Sequence, residues 1–271
     1  MAGVSATTCV GGTSIGTGRP YENVEGTGAQ TQFVGHPRIK TDVPSLPYTL
    51  ACVNSSLISW YFREVFATGT LQGSYSHTYP KQIRAFPICR VTFNTPTIER
   101  KRHVAKGREL YERCLAGSDA ASVLEFVEKQ LAEKRTDAIH DLLAFLAEQM
   151  MKLNSDKQTA AKQFLTDLKD FHGVDARSLT PKTKLDEFWK LQAGEVFAHL
   201  RANLKALAAQ GIRLKDSDEE KIRTRFQKAT DKLLPLESEI AFTDTLIDQI
   251  VYRLYGLTPA EIKLVEENAR H

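Results

Sequence analysis

Between Lys81 and Arg108 the chain carries eight cations, Lys81, Arg84, Arg90, Arg100, Lys101, Arg102, Lys106 and Arg108, against the single acid Glu99. A local charge of +7 is the footprint of a polyanion contact, or else of a solvated charged face. Residues 1–80 are neutral and the rest sum to −4, so the net +3 conceals this concentration. The residue types divide the chemistry. Arginine offers paired donors to guanine O6/N7 and glutamine pairs with adenine N6/N7, so Lys81, Gln82 and Arg84 suit base edges, at about 1–3 kcal/mol of discrimination per good pair. Equally, Gln82 and Arg84 flank an Ile83–Phe86 pair expected to be buried. Arg90, Arg100, Lys101, Arg102 and Lys106 suit phosphates, which position a duplex without reading it. Upstream, Ser74, Tyr75 and His77 read as loop-tip contacts or as turn residues, and Asn54 with Ser55 as local caps.

Bond-making chemistry is harder to find. Gly16 and Gly18 lead into Arg19-Pro20 without a third glycine, which rejects a dinucleotide fingerprint. Cys9, Cys52, Cys89 and Cys114 form no CxxC pair and no HExxH occurs, so buried free thiols are expected and no metal site is assigned. Asp186-Glu187-x-x-Lys190 has the letters of a magnesium nuclease but lies in a helical stripe with no strand carboxylate before it. No catalytic residue is assigned.

These residues hang on the stretch from Tyr48 to Ile88. Leu50, Val53, Leu57, Tyr61 and Phe62 recur at helical spacing, a turn follows at Gly69 and Gly73, and Pro80 and Pro87 bracket the basic segment. The order "YTLACVNSSLISWYF", "GSY", "YPKQIRAFPI" resembles the TaqI-like C-terminal specificity domain of adenine-N6 DNA methyltransferases, found in combined restriction-modification polypeptides. Leu246 to Glu266, LIDQIVYRLYGLTPAEIKLVE, resembles the closing segment of the same proteins. The resemblance implies that Lys81, Gln82 and Arg84 stand in the target-reading motif. It also implies that a methyltransferase catalytic domain, using S-adenosylmethionine, is the partner. No Gly-rich cofactor loop and no Asn-Pro-Pro-aromatic tetrad appear here; "FNTPT" lacks the paired prolines. The cofactor is therefore expected for the parent enzyme and none for this chain.

Beyond the basic run, Val91 to Pro96 suggests a short strand, and helical patterning then continues to the end. Ser122 with Glu125 suggests a capping box, Thr136 an N-cap, Asn154-Ser155 a break, Gly173 a C′ glycine and Thr180-Pro181 a helix start. Gly194 weakens or splits the stripe from Leu185 to Gln210, Pro235 ends a helix begun at Ser217, and Thr258-Pro259-x-Glu261 opens the last one. The expected fold is mainly α: a small α+β recognition domain followed by an antiparallel helical bundle or hairpin array. The expected divisions are a Gly/Thr-rich irregular segment at 1–44, the specificity portion at 45–98 and a helical domain at 99–271 with the family segment at 246–266.

With 271 residues, 42% hydrophobic and 25% charged, the composition is that of an ordinary globular chain. No run of 18 apolar residues and no signal-peptide pattern is visible, so a cytoplasmic protein without membrane contact is expected. The leading functional reading is the duplex-DNA-binding, target-recognition portion of a restriction-modification adenine methyltransferase. The alternative is a helical structural or protein-interaction module without DNA specificity.

Overall fold

The computed structural model describes residues 43–66, 80–117 and 120–269. It is mainly α-helical, as expected, and no strand occurs among the described residues. Ser74, Tyr75 and His77, the segment 1–42 and the glycine turn lie outside the described residues. The chain divides into two compact units, one drawn from Met1–Ala147 with Leu246–His271 and the other Glu148–Thr245.

In the first unit, helices α1 (Leu46–Val53) and α2 (Ser56–Phe66) meet at a tight junction. Ser45 caps α1 and Pro47 falls in its first turn, where a missing N–H costs nothing. Ser55, buried between the helices, donates to Cys52 O and accepts from Ile58 N–H, so it joins them as a local cap. Burial falls on Tyr48, Ala51, Cys52, Leu57 and Ile58, while Leu50, Tyr61 and Phe62 stay half-buried. Burial pushes the Cys52 thiol up to about 12, keeping it protonated and unreactive.

Helix α3 (Pro80–Arg84) and an extended segment follow. Val91 to Pro96 is not the expected strand. Its backbone donors go to side chains instead, Thr92 N–H to Thr136 Oγ1 at 3.0 Å and Thr95 N–H to Asp137 Oδ2 at 2.8 Å. Without a neighbouring strand to pair with, such a segment satisfies its polar groups on a helix start.

Helix α4 (Thr97–Leu115) packs on α5 (Ala121–Ala132) and on the first turns of α6 (Thr136–His172). Gly107 is buried mid-helix, and a Cβ there would stand 3.0 Å from Leu142 Cδ1, so glycine permits a close approach of the two helices. The Ser122–Glu125 capping box does not form: Ala120 is the N-cap and makes no side-chain bond, while the Ser122 hydroxyl lies against Cys114 Sγ. Thr136 is the first helical residue rather than a cap, and its hydroxyl serves Thr92.

The second unit contains the rest of α6, then α7 (Ala193–Ala202), α8 (Leu204–Ala209) and most of α9 (Asp216–Tyr255). Its core gathers Phe164, Leu168, Phe188, Val196, Leu200 and Phe226, with Phe164 and Phe188 rings 4.2 Å apart. Asn154-Ser155 does not break α6. The Asn154 amide donates to Met150 O within its own helix, so its polar group supports the helix instead of competing with it.

Thr180-Pro181 does not start a helix either. The Asn203 side chain binds both Thr180 N–H and Thr180 O and fixes this stretch as a turn. The apolar stripe splits at Asn203, and Gly194 sits harmlessly in the first turn of α7 behind a Gln192–Glu195 capping box. Pro235 does not end its helix. It and Asp231, whose carbonyl loses a partner, are exposed, while Phe226 and Leu233 keep the opposite face buried.

Candidate nucleic-acid interface

The site begins with how the first unit is closed. Asp248, on α9, accepts from both Ser56 N–H at 2.8 Å and Ser56 Oγ–H at 2.6 Å, which caps α2 with a carboxylate at the positive end of its dipole. Tyr255 Oη donates to Pro87 O at 2.7 Å and accepts from Cys89 N–H at 3.0 Å. Tyr48 Oη donates to Cys89 O at 3.0 Å. After Gly256, which takes the left-handed conformation at φ 68°, Thr258 and Glu261 form a reciprocal capping box and start α10 (Pro259–Ala269), which packs on α2. The stretches Tyr48–Ile88 and Leu246–Glu266, distant in sequence, thus build one unit.

On this scaffold Lys81 and Arg84 are exposed on α3, and Gln82 is half-buried and engaged. The expected buried pair is absent: Ile83 is 51% exposed, and Phe86 is half-buried edge-on against Phe62. A one-and-a-half-turn helix on the surface cannot cover both sides of its apolar residue. Arg90 is exposed on the extended segment and has an interaction of its own.

The remaining cations line α4, and they are not equivalent. Arg100 is bound through Nε and Nη2 to both oxygens of Asp141, at 2.5 and 2.6 Å, and its guanidinium lies 4.7 Å from the Phe93 ring centre. Burial would raise the Asp141 carboxyl, but hydrogen bonds from His140 and Arg100 outweigh it and hold the group below the usual carboxylate range. His140 is itself buried, accepting Ser45 N–H at Nε2 and facing Asp141 at Nδ1, so both ring nitrogens are used in holding the fold. Lys106 is exposed and reaches Glu109 at 3.1 Å. Lys101 and Arg102 are exposed and make no ion pair among the described residues.

Arg108, counted in the basic run but assigned there to neither base edges nor phosphates, joins this set. It sits seven residues after Lys101 on the same helix face, stacks 4.7 Å over Phe145, and lines an open groove of about 650 Å³ with Lys101, Arg100 and Asp141. The i, i+7 spacing was the available signal. The structure therefore brings Arg100, Lys101 and Arg108 together on one groove and leaves Lys81 and Arg84 on a separate helix. Exposed lysines and stacked arginines on a helix surface can neutralise phosphates. Among the described residues no group of His, Cys, Asp and Glu is placed to hold a metal ion. No described helix is long and apolar enough to cross a membrane.

A family model described as a domain of unknown function (DUF8810) matches residues 136–251, which takes in the whole second unit. No curated protein and no solved structure matches the chain.

Proposed function

We propose that this chain is the duplex-DNA-holding, target-recognition portion of a restriction-modification adenine methyltransferase. The observation that carries the reading is the closure of the two TaqI-like stretches on one another, through Tyr255 with Pro87 and Cys89 and through Asp248 with Ser56. Segments that resemble one family in sequence, and of which one caps a helix of the other and binds its extended backbone, behave as parts of one module. The unit then offers Lys81 and Arg84 to base edges and Lys101, Arg102 and Arg108 to phosphates. The described part of this recognition domain consists of helices and an extended segment, so the α+β character inferred for it has no described strand to rest on. A catalytic domain using S-adenosylmethionine is the partner this reading requires, and it would flip and methylate an adenine while this module holds the duplex.

The test is selection from a pool of random duplexes by the chain, followed by sequencing of the bound fraction. Enrichment of one motif supports target recognition. Binding without enrichment reduces the module to a sequence-neutral clamp.

A helical protein-interaction module is the second reading, favoured by one feature. Val53, Phe62, Ile83 and Phe86 line an open apolar groove of about 440 Å³ between α2 and α3. Salt-insensitive association without DNA affinity would move this reading to first place.

A further inference from the structure

The second unit carries a cationic groove that the sequence reading did not single out. Along α9, Lys221, Arg225, Lys228 and Lys232 recur at i, i+4, i+7 and i+11, which is one face of a helix. They line an open groove of about 730 Å³ against α6, where Gln163 and Asp167 stand. The acids of the groove cancel only part of this charge. Asp167 accepts from Arg225 at 2.9 Å and from the Gln163 amide at 2.7 Å, so Asp167 and Arg225 answer each other's charge and Lys221, Lys228 and Lys232 carry the excess. That leaves Glu220 on the groove and Asp218 near Lys221.

Lys228 and Lys232 are exposed and make no ion pair among the described residues. Arg225, half-buried, lies 4.1 Å over the Phe171 ring and donates to Asp167. From Lys221 to Lys232 the row is about 16 Å long at 1.5 Å per residue. A row of that length, with its exposed lysines spaced along one helix face, matches an extended polyanion better than a single anion.

We propose that this groove is a second phosphodiester-backbone contact for duplex DNA, separate from the cations of α3 and α4. It rests on the DNA-holding reading above and adds that the second unit holds the duplex too, without reading its sequence. The groove offers ammonium groups and no base-reading fork beyond Arg225, so its contribution is salt-dependent and sequence-neutral.

The experiment titrates a random 30-base-pair duplex against the full chain across salt, beside two variants. One is Lys221→Gln/Lys228→Gln/Lys232→Gln, and the other is Lys81→Gln/Arg84→Gln/Lys101→Gln/Arg102→Gln. All the substituted side chains are exposed, and circular dichroism checks that the helices persist. The groove variant should flatten the log–log salt slope by about 2.7, the share of three phosphates. An unchanged slope there, with a flattened slope in the other variant, overturns the groove and leaves the DNA-holding reading standing. No binding by the unaltered chain overturns both. Lysine acetylation with mass spectrometry supplies the local readout: duplex should protect Lys228 and Lys232. Protection by polyglutamate but not by duplex would assign the groove to an acidic protein and end the proposal.

Discussion

Asp248 accepts two hydrogen bonds from Ser56, one from its backbone and one from its hydroxyl, and so caps a helix 192 positions earlier in the chain. A carboxylate supplied from so far away makes the start of α2 a tertiary feature. Asp248→Ala leaves an unpaired helix-end donor and removes a favourable charge from the dipole. The expected loss is about 1–2 kcal/mol, read as a lower urea midpoint with unchanged slope. Ser56→Ala, which keeps the backbone bond, should cost less.

Tyr255→Phe tests the second closure. The hydroxyl satisfies Pro87 O and Cys89 N–H together, and deleting it strands both. A destabilisation of about 1–3 kcal/mol is expected. The same variant should weaken DNA binding only as far as it unfolds the unit, so binding measured well below the melting temperature should be nearly retained.

Asp141 gives the fold a dependence on acid. Its carboxyl is held below the value it has in the unfolded chain, so its stabilisation is fully present above about pH 4 and is lost as pH falls through the lower folded value. Asp141→Asn should lower stability near neutrality and flatten the decline below about pH 4. A wild-type-like acid limb in Asp141→Asn would show that another carboxylate governs it.

Arg100 and its neighbours should separate. Arg100→Ala removes the partner of a half-buried carboxylate and should lower the thermal midpoint. Lys101→Ala and Arg102→Ala, both on exposed side chains, should leave stability within about 0.5 kcal/mol and reduce DNA affinity instead. Parallel thermal and binding measurements on the three variants distinguish the roles.

Pro235→Ala restores a backbone donor in the middle of α9 at an exposed position. Stabilisation by about 1–3 kcal/mol is expected, visible as a higher thermal midpoint.

What was legible in the sequence was local. Gly173, Gly211 and Gly256 all end helices with positive φ, and the Thr258–Glu261 box forms as written, because these signals act within one turn. Two of the misread boundaries, Asn154-Ser155 and Pro235, share one cause. Each is a local breaker inside a strong apolar face, and packing outweighs the local preference. The charge run was legible as composition, but which cations remain unpaired was not. Arg100 looks the same as Lys101 until Asp141 is found 41 residues downstream. The closure of Tyr255 on Pro87 depends on tertiary approach and leaves no spacing signal.

The central claim, that this chain holds duplex DNA through its basic run, meets its most direct test in one titration. Binding of a labelled duplex by the unaltered chain is followed from low to high salt. A chain neutralising about six phosphates, three on the basic run and three on the α9 groove, should lose affinity with a log–log slope near −5.4. The slope should become shallower when Lys81, Arg84, Lys101 and Arg102 are replaced by glutamine. Failure to bind at low salt, or a slope indifferent to those four residues, would contradict the account.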